Sequence, residues 1–144
     1  TKIQNQGTFN QGFMTTELLA AALLDMELHN LTDTENLNVV AFEKETMDKL
    51  GLIPEIAPRY RATYFSHIIG GYAAGYYSYL WAEVLDTDAF EAFKEHGVFD
   101  KNTADSFRKN ILEKGGTEDP MTLYRGFRGA DPSLEPLLKN RGLK

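Results

Sequence analysis

The sequence predicts an all-α chain, and three observations carry that expectation. Apolar residues recur three and four apart through most of its length, the spacing of one helix face. No stretch alternates apolar and polar residues for long enough to suggest a sheet. Helix signals punctuate the pattern, with Gly51, Gly97, Gly115 and Gly142 after periodic segments and Asp119-Pro120 and Asp131-Pro132 before others.

The first helix is expected over Phe13 to Leu31, with Thr8 and Gln11 at capping-box spacing ahead of it. Leu19, Leu23 and Met26 form one apolar stripe and Ala20, Leu24 and Leu28 another, so the helix is expected to be largely buried. Ala20-Ala21-Ala22 combines helix propensity with small volume and invites close approach of a neighbouring helix. Glu17, Asp25 and Glu27 read as a solvated face of the same helix. After polar turn residues Thr32 to Asn36, a second helix spans Asn38 to Leu50 with Val39, Phe42, Met47 and Leu50 inward and Gly51 closing it. Ile53-Pro54 to Ala57-Pro58 is extended, because each proline disfavours helix at the residue before it.

A third helix follows Gly75, carrying Leu80, Trp81, Val84, Leu85, Phe90 and Phe93, with an interruption expected at Asp86-Thr87-Asp88. Gly97 ends it, and a fourth helix over Asn102 to Leu112 stops at Gly115-Gly116. Asp119 and Asp131 are each expected to cap a short helix that opens on proline. His29 and His96 sit at helix ends, where a cation complements the carbonyl dipoles. There is no internal repeat, no low-complexity segment and no stretch of linker character, so residues 1–144 read as a single helical region.

Bulk properties narrow the function. A chain of 144 residues can bury a core. A net charge of −6 with 42% hydrophobic residues argues against a disordered chain and against a nucleic-acid or anionic-membrane partner. The absence of cysteine excludes disulfides and cysteine catalysis and leaves the compartment open. Thr1 to Gly7 lacks the order of charges and apolar residues of a signal peptide. The longest uncharged apolar stretch, Ile68 to Ala82, falls short of the roughly 20 residues of a spanning helix. These features leave the compartment open; a cytoplasmic location is the expectation, with the periplasm as the alternative.

Chemistry concentrates in Phe65 to Trp81, which holds His67, the glycines Gly70, Gly71 and Gly75, and the phenols Tyr72, Tyr76, Tyr77 and Tyr79. If the segment were helical throughout, Tyr72, Tyr76, Tyr79 and Glu83 would share one face. Phenols so placed either rim a core, with hydroxyls reaching water or backbone, or face a ligand. The glycines permit either close approach of a neighbouring helix or a pliable loop that closes over a substrate chain. Their spacing is not that of a phosphate loop, which would end in Gly-Lys-Ser/Thr. No histidine opens a His-Glu-x-x-His motif, since Asn30, Ile68 and Gly97 follow the three.

The block, together with Phe9 to Met26, Pro58-Arg59-Tyr60-Arg61 and the tail from Ile111 to Pro132, resembles the C-terminal part of the zinc peptidases related to thimet oligopeptidase, oligopeptidase A and the peptidyl-dipeptidases. The resemblance covers nearly the whole chain and is nearest to the peptidyl-dipeptidase branch. It implies a zinc enzyme acting on peptide substrates, whose two metal-binding His, downstream Glu and general-base Glu would all precede Thr1. The preceding part of the same chain would then be this region's partner, and the region alone would be inactive and hold no metal. By position, the resemblance gives His67 contact with the substrate or the tetrahedral intermediate, and Tyr72 and Tyr79 hydrogen bonds to the developing oxyanion. Tyr76 is the weaker candidate for substrate contact. Release of C-terminal dipeptides needs a partner for the terminal carboxylate, for which Arg59 and Arg61 are the nearest cations, an ion pair within the protein being the competing role. The alternatives are an oligopeptidase cutting inside short peptides and a non-catalytic helical module that binds peptide on its tyrosine face.

Overall fold

Helices and turns alone build the chain: among the described residues there is no strand. A computed structural model describes residues 1–144, the Gln4 side chain excepted. The chain divides into two compact units, Thr1–Leu80 and Trp81–Lys144.

The first unit opens with α1 (Lys2–Thr8), which the periodicity did not suggest, and α2 (Gln11–His29). The expected capping box is not formed. Thr8 ends α1, and Asn10 enters α2 in the left-handed region (φ 58°) without a side-chain cap. Gln11 instead turns back, its Nε2 donating to the Gly7 carbonyl at 2.9 Å. α3 (Val39–Lys49) starts as expected, with Asn38 Oδ1 accepting from the Ala41 amide at 3.0 Å, and ends at left-handed Gly51. Two short 3-10 turns follow, Ala62–Tyr64 and Ser66–Ile69.

The alanine triplet is the seam of this unit. Ala20 and Leu24 pack with Met47 of α3, while Ala21 and Ala22 pack with Phe65, Ile68 and Tyr76. Removing an aromatic side chain such as Phe65 (0% exposed) from water is worth about 1.5–3 kcal/mol, and only small residues on α2 leave room for it. The other stripe of α2 corrects the expectation of a largely buried helix: Leu19, Leu23 and Met26 remain exposed at 43%, 41% and 37%. A helix apolar on both sides with one side uncovered lacks a neighbour within its unit.

α4 (Ser78–His96) starts in the first unit and continues through the second without the break expected at Asp86-Thr87-Asp88. Thr87 Oγ1 donates to the Glu83 carbonyl at 2.7 Å, and Asp88 turns into the interior, so these polar residues are satisfied inside the helix. Gly97 (φ 113°) closes α4. α5 (Lys101–Phe107), capped by Asp100 on the Thr103 amide at 2.7 Å, passes into a one-turn π-helix over Arg108–Leu112. α6 (Pro120–Arg128) has the expected Asp119 cap, which accepts from the Thr122 amide at 3.0 Å. Asp131 caps nothing: it accepts from Arg125 Nε at 2.6 Å, and α7 (Glu135–Asn140) starts later.

Phe93, Phe107 and Phe127 form the aromatic core of the second unit, with centroids 5.1 to 6.3 Å apart. Beside them, the Tyr124 hydroxyl donates to Oδ2 of buried Asp88 at 2.5 Å, and Arg128 approaches the same oxygen at 3.6 Å while gripping Glu95 with two nitrogens. No helix among the described residues is long and apolar enough to cross a membrane.

Losing the Tyr124 bond leaves a buried carboxylate short of a donor, which costs about 1–3 kcal/mol. Tyr124→Phe is therefore expected to lower the unfolding free energy measured in urea by that amount, and an unchanged value would refute the assignment. Burial first, then the bond to Asp88, pushes the Tyr124 phenol well above its ordinary value of 10.0. The contribution is thus complete below pH about 10, where an unfolded phenol is still protonated, and is lost as pH rises toward the folded value.

Candidate active site

Two buried carboxylates shape the segment that carries the phenols. Glu43, on α3 four residues from both Val39 and Met47, accepts from the Ala62 amide at 2.7 Å and pairs with Arg61 Nε at 2.5 Å. This holds the chain as it enters the 3-10 turns. Asp25, on α2 and 0% exposed, holds the other end: Oδ1 accepts from the Ala74 amide at 3.0 Å and Oδ2 from the Tyr76 amide at 2.9 Å. His29 Nδ1 lies 2.9 Å from the same Oδ1. The solvated-face reading of Asp25 is therefore corrected. It stands three and four residues after Ala22 and Ala21, in phase with the buried side of α2.

Residues 70–77 form successive turns rather than the continuous helix considered from the sequence. Gly75 and Ser78 amides donate to the carbonyls of Tyr72 and Gly75 at 2.9 and 3.0 Å. Close helix approach does not account for Gly70 and Gly71: a Cβ on either would meet nothing within 4 Å. The left-handed residue is Ala74 (φ 53°), a conformation costing roughly 1–2 kcal/mol for a residue with a Cβ. That turn aims the Ala74 and Tyr76 amides at one carboxylate. Two hydrogen bonds to a charged group, about 1.5–3 kcal/mol each, outweigh the strain.

The turns bring the predicted residues together. Tyr72 and Tyr79 stack at 5.1 Å with an interplanar angle of 22°, and Tyr76 meets Tyr79 edge-on at 5.1 Å. The His67 ring lies 6.1, 5.3 and 6.4 Å from Tyr72, Tyr76 and Tyr79, and 4.8 Å from Tyr60, which sequence reasoning missed. His67 Nδ1 is buried with no hydrogen-bond partner. Tyr72 and Tyr79 stay open to solvent, at 41% and 42%. Tyr76, at 3%, has its ring in the core instead of on the open face expected of a substrate contact.

Electrostatics separates the phenols. A hydrogen bond to Tyr72, followed by partial burial, pushes the Tyr79 phenol up to about 12. Burial raises Tyr76, while the Arg59 guanidinium that hydrogen-bonds it pulls the other way. Of the two predicted carboxylate partners, Arg61 is engaged by Glu43 and exposed Arg59 stands at the edge of the ring cluster.

These residues do not fit a metal ion. Among the described residues no three His, Asp or Glu side chains converge, His29 is committed to Asp25, and His96 Nδ1 lies 2.9 Å from the Ala92 carbonyl. The arrangement is an all-helical scaffold with two exposed phenols beside a histidine whose Nδ1 is buried. Comparison with known proteins supplies the family: residues 1–143 match the model of peptidase family M3, and the chain belongs to that family. It is 44% identical over 149 residues to a dipeptidyl carboxypeptidase of Escherichia coli (strain K12), covering 99% of this chain and 21% of that protein. It is 39% identical over 145 residues to an oligopeptidase A of Haemophilus influenzae, with the same coverage, and 57% identical over 81 residues to oligopeptidase A of Escherichia coli, covering 56% of this chain and 12% of that protein. The chain spans about a fifth of the length of the curated relatives it matches.

Replacing Ala74 by Gly removes the left-handed penalty and loosens the unfolded chain by a smaller amount. Ala74→Gly is expected to stabilise the chain by about 0.5–1 kcal/mol in urea unfolding. A loss of stability would show that the Ala74 turn carries no strain.

Proposed function

We propose that this region forms the tyrosine-bearing wall of the substrate cleft of a zinc-dependent peptidase, and that the peptidase releases dipeptides from the C-termini of peptide substrates. The observation that carries the reading is the exposed Tyr72–Tyr79 hydroxyl pair beside His67, whose buried Nδ1 has no partner. Family membership and the 44% identity to a dipeptidyl carboxypeptidase support it. Zinc, when bound by residues other than these, would supply the activated water.

This chain's own contribution is to the oxygen of the peptide carbonyl under attack. As that oxygen gains negative charge, preorganised donors stabilise it more than they stabilise the ground state. The Tyr72 and Tyr79 hydroxyls are the donors, and Tyr79, pushed up to about 12, keeps its proton at neutral pH. His67 contacts the substrate or the tetrahedral intermediate beside the pair. Arg59, exposed and linked to Tyr76, would receive a free C-terminal carboxylate, whereas Arg61 is paired with Glu43. The uncovered Leu19, Leu23 and Met26 stripe of α2 is where the remainder of the peptidase would pack.

A second reading, an oligopeptidase that cuts inside short peptides, draws on the 57% identity to an oligopeptidase A over 81 residues. Product analysis separates the two. Sequential dipeptides from free-acid peptides, with slower turnover of C-terminally amidated ones and selective loss of that preference in Arg59→Ala, support the dipeptidase. Equal rates on both substrates would reject it. In the complete peptidase, Tyr79→Phe is expected to lower kcat by about 10²–10³-fold, the usual effect of removing one oxyanion donor. An unchanged kcat would take Tyr79 out of the mechanism.

A further inference from the structure

We propose that Asp25 is a positioning residue for the phenol pair: its buried carboxylate, by holding the Ala74 and Tyr76 amides, fixes where Tyr72 and Tyr79 stand. The inference rests on the reading of those phenols as hydrogen-bond donors, and it assigns a role to a side chain that touches neither substrate nor phenol.

The two amides lie within the stretch bounded by Tyr72 and Tyr79, so displacing them displaces the segment that joins the phenols. Apart from the Tyr76 ring, which lies in the core, little side-chain packing holds that segment. A side chain at Gly70 or Gly71 would meet open space, and Ala73 and Ala74 are exposed. Among the described residues, Asp25 supplies the side-chain hydrogen bonds to the backbone of residues 70–77. Their geometry leaves little freedom. One oxygen takes Ala74 and the other Tyr76, two residues apart, which requires the left-handed turn at Ala74 between Tyr72 and Tyr76. The Tyr76 bond also seats the Tyr76 ring against Phe65 at 4.8 Å, and that ring supports Tyr79 edge-on. His29 Nδ1, 2.9 Å from Oδ1, is the third group on the carboxylate.

An apolar residue would suit the core phase of α2 as packing. A carboxylate there demands amide donors and therefore commits the loop to one path. A merely structural acid would show itself in stability alone, whereas a positioning acid alters the reaction while the fold persists.

The test is made in the complete peptidase that carries this region. Asp25→Asn keeps one acceptor oxygen and turns an amide NH2 toward a backbone N–H, so one of the two bonds is lost. The expected result is a fall in kcat of at least 10-fold with KM changed less than 2-fold, and hydrogen exchange at the Ala74 and Tyr76 amides faster by at least 10-fold. Combined with Tyr79→Phe, it should add little to the loss caused by Tyr79→Phe alone, because both changes remove the same donor. Unchanged exchange, or losses that multiply in the double variant, would overturn the proposal. Asp25→Glu guards against simple unfolding: it retains a buried anion but moves it by one methylene, and is expected to melt near the parent while turning over at least 5-fold more slowly. A parental kcat in Asp25→Glu would overturn the proposal. If Tyr79→Phe alone proved silent, the reading of the phenols would fail, and the exchange rates would still decide whether Asp25 sets the loop.

Discussion

A single buried carboxylate organises the tyrosine-bearing loop of this chain. Asp25 sits on the alanine-rich face of α2 with no exposed surface, and there it cannot be satisfied by water. Its partners are two amides of a loop more than 45 residues later in the chain, with His29 as the third. Because an unpaired buried charge is far more expensive than the left-handed turn at Ala74, the loop bends to the carboxylate. The stacked phenols, the edge-on Tyr76 and the enclosed His67 all follow from that path.

Glu43 repeats the device at the other end of the segment. It receives the Ala62 amide and Arg61 from a helix face shared with Val39 and Met47. Two helices thereby tether an irregular stretch through side chain to backbone bonds, and the apolar contacts of Phe65 and Ile68 with Ala21 and Ala22 fill the space between. An irregular segment held in this way can present polar groups on its outer surface while its inner surface is packed, the arrangement expected of a preorganised donor site.

Much of this was legible in the sequence, and the failures share a cause. Periodicity located the major helices, and Asn38 and Asp119 cap as their positions imply, because those features depend on residues within one turn of each other. The tyrosine block stood out by composition, and His67, Tyr72 and Tyr79 do converge. What escaped depended on distant partners. Asp88 looked like a helix breaker until Tyr124, 36 residues away, supplied its donor. Asp131 looked like a cap until Arg125 took it. Asp25 looked like surface until two amides of a later loop were seen on it, although its phase with Ala21 was a readable warning. Tyr76 looked equivalent to its neighbours, and only the turns at 70–77 show that its ring goes inward.

The chain belongs to peptidase family M3, and under the proposed role attack on a peptide carbonyl would create an oxyanion for the two phenols to meet. The most direct test is a crystal structure of the complete peptidase with a phosphinic peptide, whose anionic oxygen stands where the carbonyl oxygen would be. The account predicts a Tyr72 or Tyr79 hydroxyl about 2.7–3.1 Å from that oxygen, with the Ala74 and Tyr76 amides still on Asp25. Phenols turned away from the phosphinate, with other groups donating to it, would contradict the account.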